Sequence, residues 1–246
     1  MVIIVLNVGA NTAPEWGGFR APIYSDGTFR FVPIPLKDHY IVDPPAIAPT
    51  YRCLGLEGVV PEDKLDSRAL LSPDFKNLAY GHIKRPSDGN AFQQLKDEGG
   101  YLFFFATLRR MSTINPDWGA YLIGYFSTEF VVSDRELAER PEVQRRLENY
   151  AWYQTRTRDG REAAAHWWIT GSSGGLFKWA IPLSKNSNPN EWNAFALKTL
   201  RTTTGKRLPQ RAFYNWTLKV AEEEEKYFWQ EISKHNPNGN CESRYV

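Results

Sequence analysis

The chain has 246 residues, a formal charge of +2 and aromatic side chains at 14% of positions, nine of them tryptophan. That length supports a substantial core and is read as one domain over residues 1–246. No run of about 18 apolar residues is present, which excludes a membrane-spanning helix, and Met1 to Asn7 lacks the basic start and the length of a signal peptide. A soluble, cytoplasmic protein is expected.

Val2 to Leu6 predicts a first strand. Tyr24 to Phe31 predicts strand, turn and strand, with Asp26-Gly27 accepting the positive φ of a tight turn. Gly17, Gly18 and Arg20 are not needed for that turn, and two glycines permit close approach to the backbone. Phe29 to Ile34 continues in strand character, and Pro44-Pro45 and Ala48-Pro49 predict an extended loop. Ser87 or Asp88 can cap a short helix through Ala91, Phe92 and Leu95, ended by Gly99-Gly100. Two strong strands follow, Tyr101 to Leu108 and Ala120 to Val132, joined by a loop holding Asn115-Pro116-Asp117.

Ser133 and Glu136 have capping-box spacing, and Pro141 kinks that helix or starts another through Val143, Leu147 and Ala151. Thr157-Arg158-Asp159-Gly160 predicts a hairpin turn before a strand from Ala163 to Thr170. Gly171 to Gly175 then separates it from a second strand, Phe177 to Leu183. Asn190 can cap a helix through Trp192, Phe195, Ala196 and Leu200, and Pro209 to Ser233 is the longest helix candidate. Strands in groups with inserted helices argue for an α+β fold around a curved, mostly antiparallel β-sheet with flanking helices and a long C-terminal helix. Residues 184–235 read as a basic, aromatic, helical extension, and 236–246 as a frayed tail.

Chemistry is not announced locally. Gly171-Ser172-Ser173-Gly174-Gly175 matches G-x-S-x-G, but a strand follows where a nucleophile elbow requires a helix. The small residues suit backbone N–H groups meeting an anion, or a plain flexible hairpin. His39, His82, His166 and His235 show no metal-ligand spacing, and Cys53 and Cys241 lie far apart, so no metal site is expected and no cofactor is named. By chemistry alone, Asp26, Asp74, Tyr80 and His39 are the acid–base candidates. Arg20, fixed between Gly18 and Pro22, and Arg109-Arg110 at a strand exit are candidate phosphate contacts, against the plainer reading of loop pins and a return to solvent. From Ala163 to Lys219 there are eight Lys or Arg against the single acid Glu191, interleaved with Trp167, Trp168, Trp179, Trp192 and Trp216. Cations among ring faces suit phosphates and unstacked bases, unless the rings pack inside and the lysines are a solvated face.

Several of these segments resemble the third of the nucleotide modification-associated domain families of archaea, bacteria and phages. The resemblance is carried by Val8-Gly9-Ala10-Asn11, Gly17-Gly18-Phe19-Arg20-Ala21-Pro22-Ile23, Asp26-Gly27-Thr28-Phe29 and Pro33-Ile34-Pro35. Asp74-Phe75, Tyr80-Gly81, Leu102 to Leu108, Tyr121 to Phe126, Gly171-Ser172 and Phe177 with Ala180-Ile181-Pro182 extend it over residues 2–183. Where similar proteins carry a polar residue, often histidine, after Asn149, this chain has Tyr150-Ala151-Trp152. The resemblance implies a context of DNA base modification. The strand order is also similar to the barrel of PUA-like (EVE, ASCH and YTH) domains, which implies an aromatic pocket for one base. Together these imply a partner that is nucleic acid, DNA by preference, or a nucleotide, bound through Asn11, Gly17, Gly18, Arg20, Asp26, Asp74, Tyr80, Arg109, Gly171, Ser172 and Ser173. An enzyme that modifies nucleotides or cleaves modified DNA is the competing expectation.

Overall fold

Three long strands carry the sheet. They are β6 (Gly100–Arg110), β7 (Trp118–Ser133) and β8 (His166–Pro182) in a computed structural model of the chain. The structure describes residues 1–9, 19–36, 48–83, 85, 88, 90–111, 118–158, 166–210, 217–236 and 241–242. Around the long strands lie β1 (Val2–Asn7), β2 (Ala21–Ile23), β5 (Ala79–Ile83), β9 (Leu200–Thr202), β10 (Leu218–Val220) and β11 (Cys241–Glu242), in the order β11-β8-β7-β6-β1-β10-β9. β2 also joins β6, and β5 joins β8, while β3 (Ile34–Pro35) and β4 (Ala69–Leu70) form a separate pair. Pairing is antiparallel except where β1 and β2 both run parallel to β6.

β6 is almost continuously apolar because both of its faces are covered. On one face Phe104 meets Phe75, Tyr80 and Phe126 in edge-to-face contacts with ring centroids 4.8–5.4 Å apart. On the other, Phe103 packs against Phe228 and Trp229 of α6 (Glu225–His235). The aromatic composition is therefore mostly core: Trp168 and Trp192 are fully buried and Trp167 nearly so. The sheet curls until Ala180 N of β8 donates to Gly27 O, 3.0 Å away, in the turn after β2. No ladder accompanies that bond, so the α+β expectation holds as an open, curved sheet and not as a closed PUA-like barrel.

Helices cover the sheet between its strands. α1 (Ala91–Glu98) ends at Gly99 as expected, but its N-cap is Asn90. Ser87 lies outside the described residues, and Asp88 uses its carboxylate elsewhere. α2 (Asp134–Leu137) opens with the expected capping box, and Pro141 starts α3 (Pro141–Leu147). Ser133→Ala is expected to cost about 1 kcal/mol in urea unfolding, because it frees the Glu136 N–H and the partner of the Glu136 carboxylate together. α4 (Ala151–Arg158) includes Thr157 and Arg158 of the expected hairpin turn, and Asp159 and Gly160 lie outside the described residues. Leu147, Tyr150 and Trp168 cluster where α3 and the start of α4 meet the outer end of β8.

Further expectations are corrected. Gly171 to Gly175 is neither a hairpin nor an anion nest but the middle of β8, paired to β7 through several bulges. Gly174 has φ +134°, and a Cβ there would stand 2.1 Å from Tyr125 O; Gly124 opposite is just as tight, at 2.4 Å from Gly175 O. The small residues thus let two bulged strands touch. Pro209 to Ser233 is not one helix. Leu218 to Val220 supplies β10, because the free edge of β1 needs a partner. Among the described residues of that span, a 3-10 turn at Glu222–Glu224 leads into the helix Glu225–His235, and Asn193, not Asn190, caps α5 (Ala194–Thr199). Phe29 to Ile34 makes one bridge, Ile23 to Phe29, before β3, and Pro33 has no N–H group to extend a ladder. The extension after residue 184 is not only helical, since β9 and β10 belong to the main sheet. In the tail, Asn236 is buried and Cys241–Glu242 pairs with β8.

Candidate nucleic-acid interface

One edge of β6 is shared end to end by two strands. β7 occupies the other edge, so β1, whose Asn7 lies opposite Phe105, and β2, whose Ala21 lies opposite Leu108, must follow one another along it. Between them the chain leaves for residues 10–18. Asn11, Gly17 and Gly18 lie outside the described residues, as does His39. Arg20 stands where the chain returns. Its guanidinium carbon is 4.4 Å from the ring centroid of Trp118, the first residue of β7. Such a contact is worth about 0.5–1 kcal/mol at an exposed site and holds both groups in place.

Arg109 is paired on both sides, with Pro22 of β2 and with Trp118 of β7, and is exposed. Arg30 N donates to Pro22 O at 3.1 Å, which places an exposed third arginine at the next position of the same row. Neighbouring strands are about 4.8 Å apart, so Arg30 and Arg109 stand roughly 10 Å apart at the backbone. This end of the sheet therefore carries Arg20 on the Trp118 indole, Arg109 beside Trp118 in the ladder, and Arg30 two strands beyond Arg109. Arg110, by strand alternation on the opposite face, donates to Tyr121 Oη at 2.8 Å and to Asn186 O and Oδ1 at 3.1 Å. The arginine pair of the sequence is split into one surface cation and one structural pin. Trp118 was missed by sequence reading; its only signal is the alternation that aligns it with Arg109.

The remaining candidates do not join this group. Ser172 and Ser173 are exposed on β8, and Ser173 pairs with Ser127, which pairs with Tyr101. Tyr101 and Arg109 are eight residues apart on β6, roughly 26 Å at strand rise. Asp26 accepts from Thr28 N and Oγ1 at 2.9 and 2.7 Å and shapes its own turn. Asp74 is buried and accepts from Lys76 N, Asn77 N and Asn77 Nδ2. Burial raises its pKa despite those bonds.

A second polar group lies inside the sheet. His82 Nε2 is 3.0 Å from Asp88 Oδ2, its Nδ1 is 3.2 Å from Tyr80 Oη, and Thr217 Oγ1 donates to Asp88 Oδ1 at 2.6 Å. With the carboxylate accepting from Nε2–H, Nδ1 is left to accept the Tyr80 hydroxyl proton. The ring stacks on Phe92 with centroids 4.6 Å apart. Burial raises the Asp88 pKa, but hydrogen bonds from His82 and Thr217 outweigh it and hold the carboxyl below its ordinary range. Burial pushes the Tyr80 phenol up. All four side chains are buried. Tyr150, in the position where a histidine was sought, accepts from Gly81 N and donates to Ser72 Oγ. Sequence reading named Tyr80 but gave His82 no role beyond its lack of metal-ligand spacing, because Asp88 and Thr217 meet it only through the fold.

Three of the eight cations of the basic stretch are paired with acids. Lys185 pairs with Glu191, Lys198 with Glu224, and Arg201 with Glu223. Lys178 lies over Trp179 at 4.5 Å, and Lys206 and Arg207 are exposed in the turn after β9. Phe213 and Trp216 lie outside the described residues.

An open, curled α+β sheet with an arginine–tryptophan end defines the class of protein. Residues 2–230 match the model of nucleotide modification associated domain 3, and the chain belongs to that family. The match passes the residue-183 limit of the sequence resemblance and takes in β9, β10 and half of α6. The family ties the chain to nucleotide modification. No curated protein and no solved structure matches it. Among the described residues no helix is long and apolar enough to cross a membrane.

Proposed function

We propose that this protein recognises a modified or flipped base of a nucleic acid in the context of nucleotide modification, at the Arg20–Trp118 end of the sheet. The observation that carries this reading is the Arg20 guanidinium held over Trp118 beside the exposed Arg109 and Arg30. A base stacks on the indole–guanidinium pair, and neighbouring phosphates meet the arginines. Fluorescence anisotropy with labelled single-stranded DNA, plain and base-modified, tests it at two salt concentrations. Trp118→Ala is expected to weaken binding by about 1–3 kcal/mol, the worth of one stacked base. Arg109→Ala is expected to lower the salt slope by about 1. Failure of every strand to bind at low salt would sink the reading.

The competing reading is an enzyme, favoured by the Asp88–His82–Tyr80 chain, in which a carboxylate orients an imidazole against a hydroxyl. Mass spectrometry of oligonucleotides and nucleosides after incubation decides between the two. Turnover lost in His82→Gln with binding retained would establish the enzyme.

A further inference from the structure

The curled sheet almost closes along one seam, and the seam opens where a bond is diverted. Gly27 O accepts from Ala180 N of β8, so Phe29, two residues further along the same edge, faces Lys178. Lys178 N donates instead to Asn236 Oδ1 at 3.1 Å. Phe29 is bridged to Ile23 through its neighbours, by Tyr24 N to Thr28 O and Arg30 N to Pro22 O, so its own N–H and C=O point away from β2 toward β8. Neither has a hydrogen-bond partner among the described residues, which folded chains rarely leave so. The gap is a hollow of about 20 Å³, partly open to solvent and walled by Phe29, Phe31, Leu54, Leu56, Leu176 and Phe177. Arg30 also lines it, is exposed, and has no acid paired with it among the described residues.

Resting on the proposed nucleic-acid reading, we infer that this hollow is a second subsite, which takes the 5-methyl group of a pyrimidine while Arg30 holds the phosphate of the same nucleotide. A space of that size admits one small group, and its apolar wall suits a methyl group better than water. In an anti pyrimidine nucleotide the C5 edge and the 5′-phosphate lie on the same side, which matches a cation on the rim of the hollow. The substituent next to the methyl group is a carbonyl in thymine and an amino group in 5-methylcytosine, and the Phe29 N–H and C=O give each a partner. A continuous row joins this subsite to the base on Trp118: Arg30 is bonded to Pro22, Pro22 is paired with Arg109, and Arg109 with Trp118. The ends of that row are about 14 Å apart at the backbone, so the two subsites hold different nucleotides of one strand.

The test uses the full chain and labelled hexadeoxyadenylate carrying one central pyrimidine, either deoxyuridine or thymidine, and either deoxycytidine or 5-methyldeoxycytidine. The wild-type protein is expected to bind the methylated member of each pair about fourfold more tightly, the worth of one buried methyl group. Leu54→Phe, which fills the hollow from a half-buried position in a turn, is expected to erase both preferences. Leu54→Ala widens the hollow and is expected to move the preference to 5-propynyldeoxyuridine. No preference in the wild type, or one left unchanged by both variants, overturns the assignment. If the strands bind and Trp118→Ala weakens them all, but no methyl preference is seen, the base site stands and the hollow alone is dismissed. If no strand binds, both fall.

Discussion

Gly174→Ala is expected to destabilise the protein by about 3–4 kcal/mol, the combined effect of backbone strain and a collision that cannot relax locally. At φ +134° an L-residue meets its own backbone. The added Cβ also stands 2.1 Å from Tyr125 O and 2.9 Å from Phe126 Cα, both fixed in the β7 ladder. Relief requires separating β7 from β8 at the bulges, and those strands share the longest pairing in the sheet. Gly205→Ala is the control. It has φ +80° with nothing within 4 Å, so strain alone is expected there, about 1 kcal/mol. Urea unfolding followed by far-ultraviolet circular dichroism compares them, and equal midpoints for the two variants would refute the close-approach account.

Asp88→Ala is expected to cost about 3–5 kcal/mol, because it leaves His82 Nε2, Thr217 Oγ1 and Arg85 N without their acceptor in a buried place. The pH dependence gives a sharper readout. The carboxyl is held lower in the folded protein than in the unfolded chain, where it titrates near 3.9. In that window the unfolded state binds more protons, so stability rises with pH. The contribution is fully present above the unfolded value and lost as pH falls through the folded one. Asp88→Asn is therefore expected to flatten the acid limb of the stability curve. Asp74 has the opposite sign, since burial raises its folded value and its contribution falls as pH rises through that value. Asp74→Asn is expected to steepen the acid limb. Denaturant midpoints between pH 3 and pH 7 check both, and an Asp88→Asn curve parallel to the wild type would refute the account.

Much of the fold was legible because local physics and tertiary demand agree. β1, β6 and β7 are runs that suit only a buried strand. The Ser133–Glu136 box and the Gly99 stop are side-chain and backbone devices acting within one helical turn. Disagreement produced the errors. Gly171 to Gly175 has no strand propensity, yet the bulged β7 beside it needs residues without side chains. Leu218 to Val220 follows a helical pattern, yet the edge of β1 recruits it. The candidate site was half legible: Arg20 and Arg109 stood out by their neighbours, while Trp118 did not.

Residues close along the chain, or their identity alone, were enough for the long apolar strands, the Ser133–Glu136 capping box, the Gly99 helix end, the Asp26 turn and the family. Only the tertiary structure decided that Arg20 meets Trp118, that the paired arginines serve opposite faces, and that Thr217 completes the His82–Asp88 contact from 129 positions away. Strand register and sheet curvature set those meetings, and both are properties of the whole core that no short segment encodes.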